Sequence, residues 1–242
     1  MDAKHDVNQS EEAMGKIENK ALPRRSFLRY AGTGATLVTL SLTGIAGISG
    51  CSKDNTPNPG NGGVNLGSDE IGILNYAYAL EQLEAAFYTQ VIRSPFSSIT
   101  DGEMALLTDI RDHEIAHREF FKAALAAKAI AGLEVDFSKI DFDSRDSVLG
   151  MAKAFEDLGV SAYNGAGSLL KTPDYLVLAG KIVSVEARHA AYLRDLVTPG
   201  SFAGDDVVNN MGLDTSRTPP QVLKIAGAYV KTKIDASHLP TS

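Results

Sequence analysis

Residues 111–121 read RDHEIAHREFF, and residues 182–193 read IVSVEARHAAYL. Each stretch holds a Glu-x-x-His, Glu114 with His117 and Glu186 with His189, inside an otherwise apolar stripe of helical period. In the first, Leu106, Ile110, Glu114, His117, Phe121 and Leu125 share a face; in the second, Leu178, Ile182, Glu186, His189 and Leu193 do. Side chains three apart on a helix lie about 5–6 Å from one another, so carboxylate and imidazole reach one neighbourhood. With 12 Glu and 5 His in the chain, about 0.25 such pairs are expected by chance. Two occur, and both sit mid-helix. Ionisable groups on a core-facing stripe need a physical reason.

Outward from these motifs, the pattern predicts four long helices. The first starts at Asp69 behind Ser68 as N-cap, with Asp69 and Glu70 complementing the dipole, and ends near Ile92. The second opens on a Thr100/Glu103 capping box and is predicted to reach Ala131, where Gly132 stops it. The third runs from Ser147 to Leu170 and the fourth from Thr172-Pro173 to Val197. An amphipathic segment, Pro220 to Lys231, is expected to pack across one end, and no run reads as a strand. The 1–2 and 3–4 connections are short, so each pair forms an antiparallel hairpin. The 2–3 connection is long enough to span a helix of roughly 37 Å. The fold class is therefore all-α: two antiparallel hairpins joined by a long crossover, plus a short C-terminal helix.

Two lone glutamates complete the set. Glu81 lies in YALEQLEAAFY (78–88) and Glu156 in KAFEDLGVSAY (153–163), both mid-helix and on apolar faces. Mid-helix groups of a bundle meet in one layer whatever direction each helix runs. Four carboxylates and two imidazoles then converge. Unpaired, buried carboxylates each cost several kcal/mol and become protonated. Two cations remove that cost, since four carboxylates balance a charge of +4. The order Glu…Tyr, Glu-x-x-His also recurs, Glu81 with Tyr88 and Glu156 with Tyr163, which reads as a doubled hairpin of approximate two-fold symmetry. Under that symmetry Glu84 pairs with Gly159, so Glu81 is assigned as ligand and Glu84 stays an additional or alternative one.

On these residues the chain resembles the ferritin-like, di-metal carboxylate superfamily. LEQLEAAFY (80–88) is similar to its branch in exported bacterial proteins and desiccation-related proteins. The resemblance covers residues 69–197. It implies Glu81, Glu114, His117, Glu156, Glu186 and His189 as ligands of two iron ions, with manganese as the alternative, and Glu114 and Glu186 as bridges. Tyr88 and Tyr163 read first as core packing, then as hydrogen-bond donors to the bridging carboxylates or sites of radical chemistry. His113 reads as a neighbour supporting Glu114, or as an ordinary exposed histidine. Two features depart from rubrerythrin-like peroxidases: position 159 is not a second Glu, and there is no rubredoxin domain to deliver electrons.

The first fifty residues read as an address. Arg24 and Arg25 followed by Ser-Phe-Leu and a weakly apolar run resemble a twin-arginine export signal. The run ends Ile48-Ser49-Gly50-Cys51, which resembles a lipobox, with lipidation of Cys51 implied. Residues 51–68 are rich in Asn, Gly and Pro and read as a tether, followed by the bundle at 69–197 and an extension at 198–242. The expected location is the cell envelope, lipid-anchored or periplasmic, with the membrane as partner.

Composition bounds the rest. One cysteine excludes an internal disulfide, CxxC zinc sites and iron–sulfur clusters. A pI near 5.2 argues against nucleic acid. Without residues 1–50 the chain keeps 17 basic and 25 acidic residues, a net −8. The expected function is a di-metal redox centre reacting with oxygen or peroxide, of peroxidase, catalase or ferroxidase type. The alternative is a non-catalytic metal-binding or structural envelope protein linked to stress. The electron donor is not legible, and a homodimer is left open.

Overall fold

The structure is a computed structural model that describes residues 63–240. Arg24, Arg25, Cys51 and the start of the expected tether lie outside the described residues. Four long helices form the body: α1 (Asp69–Arg93), α2 (Asp101–Leu125), α3 (Arg145–Gly167) and α4 (Pro173–Val197). A short α5 (Pro219–Ala226) follows, and a two-residue parallel ladder pairs β1 (Val64–Asn65) with β2 (Ile234–Asp235). Among the described residues no helix is long and apolar enough to cross a membrane. The all-α class and the short C-terminal helix stand as expected.

α1 packs along α2 and α3 along α4, and the hairpins meet through α1 and α3. Burial shows which rods are central: α1 buries 16 of its 25 residues, whereas α2 and α4 bury 6 of 25 each. A helix buried nearly all round loses its polar face, while one at the outside keeps a narrow apolar stripe. Leu80, Leu83, Phe87, Leu107, Ile110, Leu149 and Leu193 fill the shared core.

The helix ends show where local signals prevailed. The Thr100/Glu103 capping box is formed, with Glu103 Oε2 accepting from Thr100 N at 2.9 Å and Thr100 Oγ1 from Glu103 N at 3.2 Å. Arg145, at the start of α3, donates to the same Glu103 at 2.7 Å. α2 stops at Leu125, short of the predicted Ala131. Ala126 takes φ 50°, and a single 3₁₀ turn follows. The buried Asn75 of α1 holds that departure in place, donating to the Lys128 carbonyl at 3.0 Å and accepting from Ile130 N at 3.0 Å. α3 begins two residues before the predicted Ser147, because Ser144 accepts from Ser147 N, and ends at Gly167 instead of Leu170. α5 starts at Pro219 and stops at Ala226, where a 3₁₀ turn takes over.

Ser68 precedes α1, but its side chain caps nothing. Glu70 does more than complement the dipole: its carboxylate accepts from Lys171 N and Thr172 N, both at 2.7 Å, and from Thr172 Oγ1 at 2.8 Å. The first turn of α1 thus caps α4, which leaves the Thr172 hydroxyl no capping role of its own. The end of the stretch read as a tether is held by the fold. Leu66 is fully buried, Val64 N donates to the Lys233 carbonyl at 2.7 Å, and Leu66 N to the Asp235 carbonyl at 3.0 Å. The crossover is stitched to the C-terminal segment by Asp136 N and Lys231 N, which donate to the Tyr229 and Glu134 carbonyls, each at 2.8 Å. Buried Arg194 of α4 ties the extension to the bundle through Asp157 of α3 at 2.7 Å, Asp206, and the Ser201 carbonyl at 3.0 Å.

Candidate metal centre

All four long helices contribute to one buried cluster at their middles. Glu81, Glu114, Glu156 and Glu186 are each 0 % exposed, and His189 is 6 % exposed. His117 reaches the same cluster from a half-buried position. Two sets of ligand atoms each lie within 4.8 Å of one another: Glu81, Glu114, His117 and Glu186, and Glu114, Glu156, Glu186 and His189. Glu114 and Glu186 belong to both. That is the arrangement of two adjacent cation positions with two shared carboxylates.

Several of these atoms are near one another without bonding. His117 Nδ1 stands 2.9 Å from Glu186 Oε1, 3.5 Å from Glu81 Oε2 and 3.6 Å from Glu114 Oε2. None of these approaches has hydrogen-bond direction: Glu81 Oε2, both oxygens of Glu114 and of Glu186, and His117 Nδ1 are buried without a partner. Buried polar atoms in native folds are almost always satisfied. Six orphaned donor atoms in one cluster, converging on the space between them, fit a group that binds lone pairs. A cation with ~2.1 Å bonds holds its ligand atoms about 3–4.2 Å apart, which agrees with the spread. Carboxylates with imidazoles and no thiolate suit iron or manganese.

The electrostatics agree. Burial pushes Glu81 up to about 7; the nearby His117 imidazole and the Tyr163 hydrogen bond oppose the rise, and the Glu114 charge adds to it. Burial, with the neighbouring carboxylates, pushes Glu186 well above the usual range and raises Glu156. Glu114 is the exception. Burial opposes its charge, but it sits between both imidazoles, which hold it down to about 2. Burial also works against charge on His189, and Glu114 and Glu156 overrule it, lifting the ring to about 10. Without cations, the cluster keeps protons to limit its negative charge.

Two tyrosines fix the outer carboxylates crosswise. Tyr88 of α1 donates to Glu156 of α3 at 2.6 Å, and Tyr163 of α3 donates to Glu81 of α1. Their partners are the two unshared carboxylates, not the shared ones the sequence reading named. Each phenol reaches across to the opposite hairpin. His113 is exposed, and its Nδ1 lies 3.0 Å from Nε2 of His189, one of the cluster's two imidazoles. His189 Nδ1 is turned to Glu114 (3.0 Å) and Glu156 (3.2 Å), which leaves Nε2 to meet His113. No sequence spacing links these two histidines. Glu84 is buried at the edge of the cluster but belongs to neither ligand set. Arg118, Glu119 and Arg188 sit outside the cluster, with Arg118 paired to Glu119 at 2.8 Å.

A four-helix bundle with two overlapping carboxylate–histidine ligand sets defines a class of metal-binding helical proteins. This chain belongs to the ferritin-like domain family, whose profile matches residues 69–199, from the first residue of α1 to just past α4. No curated protein matches the chain.

Proposed function

We propose that the bundle holds a pair of iron ions, with manganese as the alternative, and reacts with a small two-electron oxidant, dioxygen or peroxide. The observation that carries this reading is the sharing of Glu114 and Glu186 between two ligand sets. Bound there, a metal pair supplies two electrons at one place. Dioxygen leaving as hydrogen peroxide takes two electrons and two protons, and peroxide leaving as two waters takes the same.

The chain's own side chains do the rest. Tyr88 and Tyr163 hold Glu156 and Glu81 in one orientation and keep a hydroxyl proton beside each. His113 fixes the ring of His189 so that Nδ1 faces inward. The apolar shell, including Leu80, Ile110, Phe121 and Leu193, excludes bulk water and strengthens each charge interaction inside.

We further propose that the protein works in the cell envelope. Arg24 and Arg25 support export by the twin-arginine route in the folded state, which suits a centre loaded before transport. Cys51 supports a lipid anchor on the membrane. The test is direct. Iron-loaded full-length protein, reduced under anaerobic conditions, is then mixed with dioxygen or peroxide while near-ultraviolet absorbance and oxidant uptake are followed. A stoichiometric colour change supports the redox reading. A metal-loaded protein inert to both oxidants supports instead the non-catalytic, structural reading.

A further inference from the structure

The two halves of the bundle repeat each other in the six converging residues but not in what surrounds them. On the side of Glu156 and Tyr88 the space is packed solid with aromatic rings. Phe87 meets Tyr88 and Phe155 edge-on, each at 5.1 Å between ring centres, and Phe137 at 5.8 Å. Tyr229 closes on Phe155 at 5.0 Å. On the side of Glu81 and Tyr163, at the other end of the helices, Ala77, Ala166 and Ala179 stand among larger apolar side chains, and the corresponding space contains a cavity of about 50 Å³.

This cavity abuts the cluster. Ala77 lies one turn before Glu81, Phe121 one turn after His117, and Ile182 one turn before Glu186. Tyr163 forms part of its wall, with the hydroxyl turned away toward Glu81. The walls are almost wholly carbon, lined chiefly by aliphatic and aromatic side chains. The cavity is not sealed, since the exposed Ala124 stands in its lining, but its carbon walls give a water molecule no hydrogen-bond partner, whereas an apolar gas needs none. Hydrogen peroxide shares water's need for partners. Dioxygen does not.

We infer that the cavity is a seat for dioxygen beside the Glu81, His117 and Glu186 ligand set, so that dioxygen is the oxidant this domain concentrates. The inference rests on the redox reading above, but the seat exists or fails independently of any metal. Its volume admits one small molecule, and its position delivers that molecule to one of the two cation positions only. The aromatic plug closes the other.

The first experiment uses metal-free, full-length protein under xenon pressure, read by crystallography or by xenon magnetic resonance. Xenon is expected between Ala77, Tyr163 and Ala179 and is expected to disappear in Ala179→Leu. Ala77→Val serves as a second filling variant, and circular dichroism verifies that both fold. The second experiment compares oxidation of the reduced, iron-loaded protein by dioxygen and by peroxide. The ratio of the two rates is expected to fall at least fivefold in a filled variant. No xenon in the wild-type cavity overturns the proposal, as does an unchanged ratio in a variant whose cavity is filled. A wild type that reacts with neither oxidant removes the redox reading, and the xenon result then still decides whether the cavity is a gas site.

Discussion

Gly159 of α3 and Glu84 of α1 are complementary in shape: a β-carbon at 159 would stand 3.1 Å from Glu84 Oε1 and 3.7 Å from Glu186 Oε2. The Glu84 carboxyl occupies space that any side chain at 159 would need. The two-fold repeat is thus broken at this pair as well, with an acid on one helix and a hydrogen on the other.

Burial, reinforced by Glu186 and Glu114, pushes the Glu84 acid well above the carboxylate range and so favours its protonated form in the metal-free protein. A folded-state value above the unfolded one means a contribution fully present below the unfolded value, about 4.3, and lost as pH rises toward the folded one. Glu84→Gln is uncharged throughout. The metal-free variant is expected to match wild type near pH 4 and to exceed it at pH 7. The gap should widen by up to about 1.4 kcal/mol per pH unit. Denaturant titrations across that range measure it, and a flat or shrinking gap contradicts the assignment.

Glu114 and Glu186 are each required by both ligand sets, Glu81 and Glu156 by one each. Glu114→Ala or Glu186→Ala should abolish two-cation loading, whereas Glu81→Ala or Glu156→Ala should retain one. Metal analysis after equilibration with ferrous or manganous ion separates the outcomes, and full occupancy in both bridging variants refutes the arrangement. In wild type, cation at a hundredfold excess over Kd should add about 2.7 kcal/mol for each cation position filled. For a domain of this size that raises Tm by ~5–11 °C.

The extension after α4 lies backbone-to-helix on α3. Arg217 N donates to the Ser161 carbonyl at 2.9 Å, and a β-carbon on Gly165 would come within 1.8 Å of the Arg217 carbonyl oxygen. Since both sides of that contact are backbone, Gly165→Ala should cost about 1–3 kcal/mol and speed proteolysis within 198–218. Gly180 in α4 has open space around it, so Gly180→Ala should stabilise by about 0.5–1 kcal/mol. Melting curves of the two variants should move in opposite directions.

Glu114, His117, Glu186 and His189 were readable because α2 and α4 lie outside, where a narrow apolar stripe makes a misplaced Glu or His conspicuous; Glu81 and Glu156, on the more buried α1 and α3, were legible through their mid-helix place and the internal repeat. The topology followed from connection lengths alone. What escaped depends on contacts between helices. Tyr88 bonding Glu156 and His113 meeting His189 join residues 68 and 76 positions apart, with no periodicity to announce them. The early end of α2 was hidden because Asn75, from a different helix, offers the chain better hydrogen bonds than another helical turn. Glu70 read as a local dipole effect, although its three bonds go to the start of α4.

The pairing of β1 with β2 has a mechanical meaning. A pull on the chain ahead of Gly63 is borne first by the Val64–Lys233 and Leu66–Asp235 backbone bonds and by the Asn65 amide on Asp235 at 3.0 Å. These must shear before tension reaches α1. The clasp acts as a strain relief, so jostling of whatever lies upstream does not disturb the alignment of Glu81 with its partners.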